Sequence, residues 1–540
     1  MPKIPVIDLF AGPGGLGEGF ASLSDFFRIE LSAECSAPAH KTLQLRAFKR
    51  ILEREGLSLD CYYEYLRGEA PSPVEERTQP AWELARAEAQ RLTLGNAADD
   101  KILADELKRR QLEVHGDWVL IGGPPCQAYS MVGRARNRSK SDYVPEDDER
   151  HFLYREYLKL IQHYRPAVFV MENVKGMLSS RVGGKRIFHQ ILQDLAQPDK
   201  ALGRGSNGAD YRIHSVVDNE VVYRSGDDPS AFADDAFLVP AENYGVPQAR
   251  HRIFLVGVRE DIKVNPAELP HTSTPPISSV LEDLPPLRSG LSRGDSPDSW
   301  RAAIQGCARQ LIAEAKCAGH SDLAMDIAGY SEAIDELGLC SRGGLRIAKD
   351  PSSSMFLEPR SPVPELRRWL EDEELTVWLN HEARSHMPSD LGRYFYAAAF
   401  ARRESRSPVG AKDFELPSLA PRHANWTTGK FADRFRVQLW DEPAKTITSH
   451  ISKDGHYYIH PDPRQCRALT VREAARLQTF PDNYFFEGNR TEQYHQVGNA
   501  VPPWLARQIA VIVKELLVSA TGGEVSFQPR SLVQQATLPF

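Results

Sequence analysis

Pro124-Pro125-Cys126-Gln127-Ala128-Tyr129 follows the apolar run Trp118-Val119-Leu120-Ile121 after Gly122-Gly123. Proline fixes φ and removes a backbone donor, so two in a row build a rigid platform rather than a helix. A cysteine on such a turn, at the end of a buried strand, is held out of the core, where its thiolate can attack an electrophile. Taken alone, Cys126 reads more simply as a buried structural cysteine. Its company decides against that.

Val168-Phe169-Val170-Met171 runs into Glu172-Asn173-Val174. The carboxyl end of a buried strand is where α/β proteins bind ligands. Glu172 there suits a proton donor, or a hydrogen bond to a ring nitrogen. It would equally well cap the next helix or pair with an arginine. Further on, Gln248, Arg250 and Arg252 lead into the strand Ile253 to Val258. Strand alternation puts the three on one face. Two arginines there can bind a phosphate, a base carbonyl or a carboxylate; a solvated basic edge is the plainer alternative. Gly12-Pro13-Gly14-Gly15-Leu16-Gly17 fits G-x-G-x-x-G after the strand Lys3 to Phe10, with Glu34 following. Such glycines let the backbone approach a nucleoside cofactor, and an acid at the end of the second strand accepts the ribose hydroxyls. Phe10 before the glycines suits packing against an adenine or a sulfonium, and nothing later looks like a hydride-transfer site. Gln496-Val497-Gly498-Asn499-Ala500-Val501-Pro502-Pro503 is a Gly-Asn turn ahead of a last helix, Trp504 to Leu517.

These residues need a frame. Four continuous apolar runs, Lys3 to Phe10, Trp118 to Ile121, Ala167 to Met171 and Ile253 to Val258, read as strands covered on both faces in a parallel-type α/β sheet. The stretch Ala37 to Gly116 is longer than a crossover needs and reads as inserted helices. Past Arg259 the texture changes. Pro270 to Pro286 is rich in Pro, Ser and Thr, and no βα alternation returns before about Pro463. This reads as a second, irregular domain. Thr470-Val471-Arg472-Glu473 is a capping box that opens a helix. From Thr521 the chain is polar.

The 540 residues are 41% hydrophobic and 26% charged, with a net charge of -7. That excludes a generally basic nucleic-acid coat. It does not exclude a local basic cleft, because 66 Lys and Arg remain to be placed. The seven cysteines form no C-x-x-C pair and no half of a zinc site, and so fit a reducing cytoplasm. No signal peptide, membrane-spanning run or metal site is expected.

Together, and in this order, the motifs resemble those of the C5-cytosine DNA methyltransferases. Asp8-Leu9-Phe10-Ala11-Gly12 and the following glycines resemble that family's S-adenosylmethionine loop. Pro124-Pro125-Cys126-Gln127 resembles its nucleophile loop, Glu172-Asn173-Val174 its ENV, and Gln248-x-Arg250-x-Arg252 its QxRxR. Arg467 to Phe480 resembles the helix that follows the recognition domain, and Gln496 to Pro502 the last motif. The resemblance covers roughly residues 1–259 and 440–515. It implies a Rossmann-like methyltransferase sheet with helices on both faces and a separate target-recognition domain. The expected division is a catalytic domain over 1–259 with a helical insertion at about 45–115. Recognition falls to 260–440, a catalytic return to 441–517, and 518–540 is a flexible tail.

The resemblance assigns Cys126, Glu172, Arg250 and Arg252 to catalysis. It assigns Asp8, Phe10, Gly12, Gly14, Gly15, Leu16, Glu34, Cys35, Pro124, Asn499, Ala500 and Val501 to S-adenosylmethionine. Pro125, Gln127, Ser130, Asn173 and Gln248 go to the nucleic acid, and Met131 to Arg150 reads as a loop closing on it. The implied substrate is a flipped-out cytosine in double-stranded DNA, with a cognate restriction endonuclease or other defence protein as a partner. An RNA-directed relative is the first alternative, and the length of 260–440 argues for reading DNA instead. A zinc deaminase would need H-x-E and a second cysteine after Cys126. A regulator without catalysis would not need all the catalytic residue types. Gln535-Ala536-Thr537-Leu538-Pro539-Phe540 resembles peptides that dock on the bacterial sliding clamp, against the simpler reading of a frayed terminus.

Overall fold

The computed structural model describes residues 3–110, 112, 117–125, 153–182, 184–203, 210–350, 363–421 and 434–521. Nine strands form one sheet: β1 Ile4–Leu9, β2 Phe27–Ala33, β3 Ala89–Gln90, β4 Val119–Gly122, β5 Val168–Val174, β6 Tyr211–His214, β7 Val222–Tyr223, β8 Leu238–Pro240 and β9 His251–Arg259. Their order is β3-β2-β1-β4-β5-β9-β6-β7, with β8 also paired to β9. β3 to β5 run parallel through β2, β1 and β4. β9 is antiparallel to β5, β6 and β8. The sheet is therefore mixed, where the four apolar runs suggested a parallel one. Burial on both faces makes a continuous apolar run in either direction, so the pattern could not show the reversal.

Alternate residues along each strand feed two cores. Ile7, Leu120, Phe169, Met171 and Leu255 pack under helices α6 (Leu153–Tyr164) and α7 (Ile187–Ala196). Val6, Ile121, Val170, Phe254 and Val256 pack under α1 (Gly15–Ala21) and α13 (Pro503–Ala520). Between β2 and β4 lie α2 (Ala37–Arg54), α3 (Asp60–Arg67), α4 (Gln79–Glu88) and α5 (Ala97–Arg109). Between these helices β3 joins the edge of the sheet. Two residues are too short a strand to show a period.

The second lobe is more regular than its composition suggested. Helices α8 (Pro297–Cys317), α9 (Ser321–Leu337) and α10 (Pro388–Glu404) surround Trp300, Ile327, Tyr394 and Phe395, joined by Val437 and Ile459. Ser296 caps α8, its Oγ accepting the Ser299 amide at 3.0 Å, and Gly338 at φ 58° ends α9. A hairpin, β10 Gly343–Ala348 with β11 Val377–Glu382, reaches back to the first lobe. A further core joins Ile277, Leu281, Leu366 and Leu370 to Leu469, Leu477, Phe480 and Val497. Thus α11 (Val471–Leu477) and α12 (Arg490–Asn499) pack with the second lobe, and α13 is the element that returns to the sheet. The capping box before α11 is formed as read: Thr470 Oγ1 accepts the Glu473 amide at 3.2 Å, and Glu473 Oε2 accepts the Thr470 amide at 2.7 Å. Among the described residues, no helix is long and apolar enough to cross a membrane, and no group of His, Cys, Asp and Glu could hold a metal ion.

Candidate active site

The ends of β1, β2, β4 and β5 and the start of the reversed β9 share one edge of the sheet. Glu172 pairs with Phe254 across β5 and β9, and Arg252 lies two residues away along the same face. Their side chains therefore meet diagonally. Arg252 Nε donates to Glu172 Oε1 at 3.0 Å, both side chains only 13% exposed. Burial lowers the Arg252 pKa, and Glu172 opposes that.

Beside this pair stands the proline turn. A Cβ on Gly123 would lie 3.1 Å from Glu172 Oε2. Asn173 Nδ2, buried, donates to the Pro124 carbonyl at 3.2 Å. Asn173 thus fastens the turn to the end of β5, and the Glu172 carboxylate faces it. Pro124 is buried and Pro125 half-buried. Cys126, Gln127, Ser130 and the loop Met131 to Arg150 lie outside the described residues.

Two expected site residues are placed differently. Gln248 is fully buried, and its amide is consumed by protein. Nε2 donates to the Leu477 carbonyl and to Gln478 Oε1, each at 3.1 Å, while Oε1 accepts the Ile447 amide at 2.7 Å. It braces the turn and has no free atom for a base. Arg250 is also buried. Its Nη1 donates to the carbonyls of Ile447 at 2.8 Å and Gly498 at 3.4 Å. Its Nε has no partner among the described residues. Burial first, and then Arg252, push its pKa well down. Arg250 stitches the last motif to the catalytic edge, whereas Arg252 holds the acid. Gln248 and Arg250 both bond Ile447, and turn bonds from Gln248 N to Val246 O and from Arg250 N to Gln248 O, at 2.7 and 2.8 Å, shape the chain just before β9.

The glycine turn lies at the other end of the same edge. The Gly12 amide donates to Glu34 Oε2 at 2.8 Å, and the Ser36 amide to Glu34 Oε1 at 2.8 Å. Glu34 is thereby fixed beside the turn, with lone pairs to spare for hydroxyl donors. Cys35 is exposed next to it. Gly15 must be glycine, since a Cβ would sit 2.1 Å from the Val501 carbonyl. This close approach joins the last motif, with Ala500 buried and Asn499 exposed, to the glycine turn. Phe10 and Gly14 hold φ 56° and 97° there, and Gly14 precedes α1. The Leu16 side chain points into the core beneath. Asp8, at the end of β1, is buried, and neither carboxylate oxygen has a hydrogen-bond partner among the described residues. Burial pushes its pKa up to about 8, against the pull of Arg50 and of the Gly17 amide, which lies close by without a well-formed hydrogen bond.

These features fit S-adenosylmethionine. An orphaned buried carboxylate suits its cationic end and Glu34 its ribose. The space over Gly12, where a Cβ would meet nothing within 4 Å, admits a ligand close to the backbone.

Gln478 and Thr479 escaped the sequence reading. Gln478 Nε2 donates to the Val497 carbonyl at 2.7 Å while Oε1 receives Gln248. Thr479 accepts Trp369 Nε1 on its carbonyl at 2.8 Å and the Trp504 amide on Oγ1 at 3.1 Å. It does so at φ 63°, a conformation a β-branched residue rarely adopts. No local spacing announces such a junction.

A sheet of this order, with a glycine turn after its first strand and an acid ending its fifth, is that of a Rossmann-like methyltransferase. Residues 97–199, 234–308 and 372–515 match the family described as C-5 cytosine-specific DNA methylase. The chain belongs to that family. It is similar to the type II methyltransferase M.Bpa9945I of Bacillus paralicheniformis, 32% identical over 95% of this chain and 99% of the other. It is similar also to the type II methyltransferase M.AgeI of Thalassovita gelatinovora, 27% identical over 94% and 98%. A third relative is the DNA (cytosine-5-)-methyltransferase M.ApeKI of Aeropyrum pernix, 25% identical over 96% and 99%.

Proposed function

We propose that this enzyme transfers a methyl group from S-adenosylmethionine to C5 of a flipped-out cytosine in a specific sequence of double-stranded DNA. The observation that carries the reading is Glu172, held by Arg252 and facing the proline turn that leads to Cys126. Cytosine C5 is too poor a nucleophile to accept a methyl group unaided. The Cys126 thiolate adds to C6, forming an S–C6 bond. Glu172 gives a proton to N3 as charge develops there, and C5 becomes an enamine carbon. Arg252 keeps Glu172 oriented and reaches toward the base O2. Asp8, Glu34 and the turn Gly12 to Leu16 hold the cofactor, which supplies an electrophilic methyl group. A base then removes the C5 proton, the S–C6 bond breaks, and N3 returns its proton. C6 is unreachable within a duplex, so the cytosine must leave the stack at a cost of a few kcal/mol.

Two of the named relatives are type II methyltransferases, which supports a cognate endonuclease or other defence protein as the partner, in the cytoplasm. The clamp-like end Gln535 to Phe540 lies outside the described residues. A synthetic peptide of residues 526–540 with purified clamp tests that contact. For the reaction itself, duplex DNA carrying 5-fluorocytosine should trap the wild-type chain covalently, because fluorine does not leave as a proton. Cys126→Ala should form no adduct and transfer no methyl group while still binding S-adenosylmethionine. Undiminished turnover in that variant would refute the mechanism, and turnover on tRNA but not on duplex DNA would reassign the substrate.

A further inference from the structure

Helix α1 starts on the glycine turn, yet its Glu18 does not face solvent. It is buried against Arg46 of α2, which donates to both its carboxylate oxygens. Burial raises the Glu18 pKa, but Arg46 and Arg50 outweigh this and hold it below its ordinary value. Arg46 also turns the other way. Its Nη1 donates to Asn483 Oδ1 at 2.8 Å and to Tyr62 OH at 3.1 Å, and its guanidinium lies 4.4 Å from the Tyr484 ring centre. Asn483 Nδ2 in turn donates to Asp372, which precedes hairpin strand β11 of the second lobe. Asp372 is half-buried and also accepts Tyr63 OH at 2.7 Å. The neighbouring Tyr484 OH donates to the Pro13 carbonyl, inside the glycine turn. The helical insertion completes the span. Arg346 of the hairpin donates to the carbonyls of Leu66 and Tyr65 in α3 at 2.8 and 3.0 Å.

A continuous polar path therefore runs from the second lobe to the helix that the glycine turn starts: Asp372, Asn483, Arg46, Glu18. Apolar side chains would fill this space with less desolvation, and buried ion pairs are weak evidence of stability. What the path supplies is a fixed geometry. Arg46 has donors for both sides at once, in the planar fork that only arginine offers.

We propose that Arg46 is a positioning residue that couples docking of the recognition segment, through Asp372 and Asn483, to the glycine turn and so to binding of S-adenosylmethionine. The proposal rests on the methyltransferase reading above.

Titration calorimetry of the full chain with S-adenosylmethionine, without DNA, tests it. Asp372→Ala lies in the other lobe and touches none of the proposed cofactor residues, yet it should weaken the cofactor Kd at least about fivefold, the lower end of usual coupling. Asp372→Asn keeps an acceptor for Tyr63 and Asn483 and should restore most of the affinity. Arg46→Ala should weaken binding further. Combined with Asp372→Ala it should lose no more than Arg46→Ala alone, because the two break one path. If Arg46→Ala does not fold, the two Asp372 variants carry the test. A Kd for Asp372→Ala within twofold of wild type would overturn the coupling. A wild-type chain that does not bind S-adenosylmethionine would overturn the cofactor reading, and the coupling with it.

Discussion

Glu172 and Asp8 are two carboxylates at the same sheet edge with opposite surroundings. Glu172 has a guanidinium at 3.0 Å. Asp8 has no hydrogen-bond partner among the described residues. On the proposed mechanism, Glu172→Gln should slow methyl transfer at least ~10²-fold, the usual scale for a positioned acid. Binding of the flipped base should change far less, and a rate within a few-fold of wild type would make the carboxyl structural. For Asp8 the folded pKa of about 8 stands above the ordinary 3.8. The folded state thus binds its proton more tightly than the unfolded chain does. The resulting stability is fully present below the unfolded pKa and is lost as pH rises to about 8. Asp8→Asn removes this dependence. Melting midpoints of the cofactor-free chain should therefore fall relative to Asp8→Asn between pH 4 and 8, and parallel curves would show that Asp8 does not titrate there.

At the scale of elements, α11 shows how a short helix is fixed in place. Its capping box shares Glu473 with Arg467, both about 1% exposed, and Arg467 donates to both carboxylate oxygens at 2.6 and 2.7 Å. Burial raises the Glu473 pKa, but Arg467 outweighs it and holds the carboxyl far below its usual range. A depressed carboxylate stabilises the fold above its unfolded pKa, and that stability is lost as pH falls. Glu473→Gln should cost about 3–5 kcal/mol at neutral pH, as expected for a broken buried pair. It should also show a shallower loss of melting midpoint below pH 5, and an unchanged acid slope would assign acid sensitivity to other groups. The box itself was readable because its two residues are three apart. The glycine turn and the end of β5 were readable too, because each is a run of a few consecutive residues. The bonds of Gln248 to Leu477 and Gln478, some 230 positions away, left no local signal in the sequence. The antiparallel β9 was hidden because a run buried on both faces carries no directional signal. Helices α8, α9 and α10 went unread because the segment lacks the βα alternation that placed the other elements, although Trp300, Ile304 and Leu311, and Leu323, Ile327 and Ile334, are spaced as buried helix faces.

For the whole molecule, the boundary between lobes does not follow the boundary in composition. Ile277, Leu281, Leu366 and Leu370 share a core with residues 469–500, and α8 to α10 share another with Val437 and Ile459. Exchanging residues 260–440 for those of the Bacillus paralicheniformis relative would cut through both cores. Exchanging 260–499 would keep the first of these cores whole but for Ala500 and Trp504, and the second entirely. The longer exchange keeps the main-chain part of the joint with the first lobe, since Arg250 and Gln248 donate to carbonyls of Ile447, Gly498 and Leu477, while the contacts of Gln478, Asp372 and Asn483 with the first lobe then depend on the relative's side chains. The 260–499 chimera should melt near its parents and methylate the relative's DNA site, read by methylome sequencing. The 260–440 chimera should melt well below both. Binding of either parent to its duplex should fall steeply with salt if phosphate contacts from this lobe dominate. Equal melting of the two chimeras would show that recognition separates at residue 440 after all, and an unmoved methylated site in the longer one would place sequence reading outside this lobe.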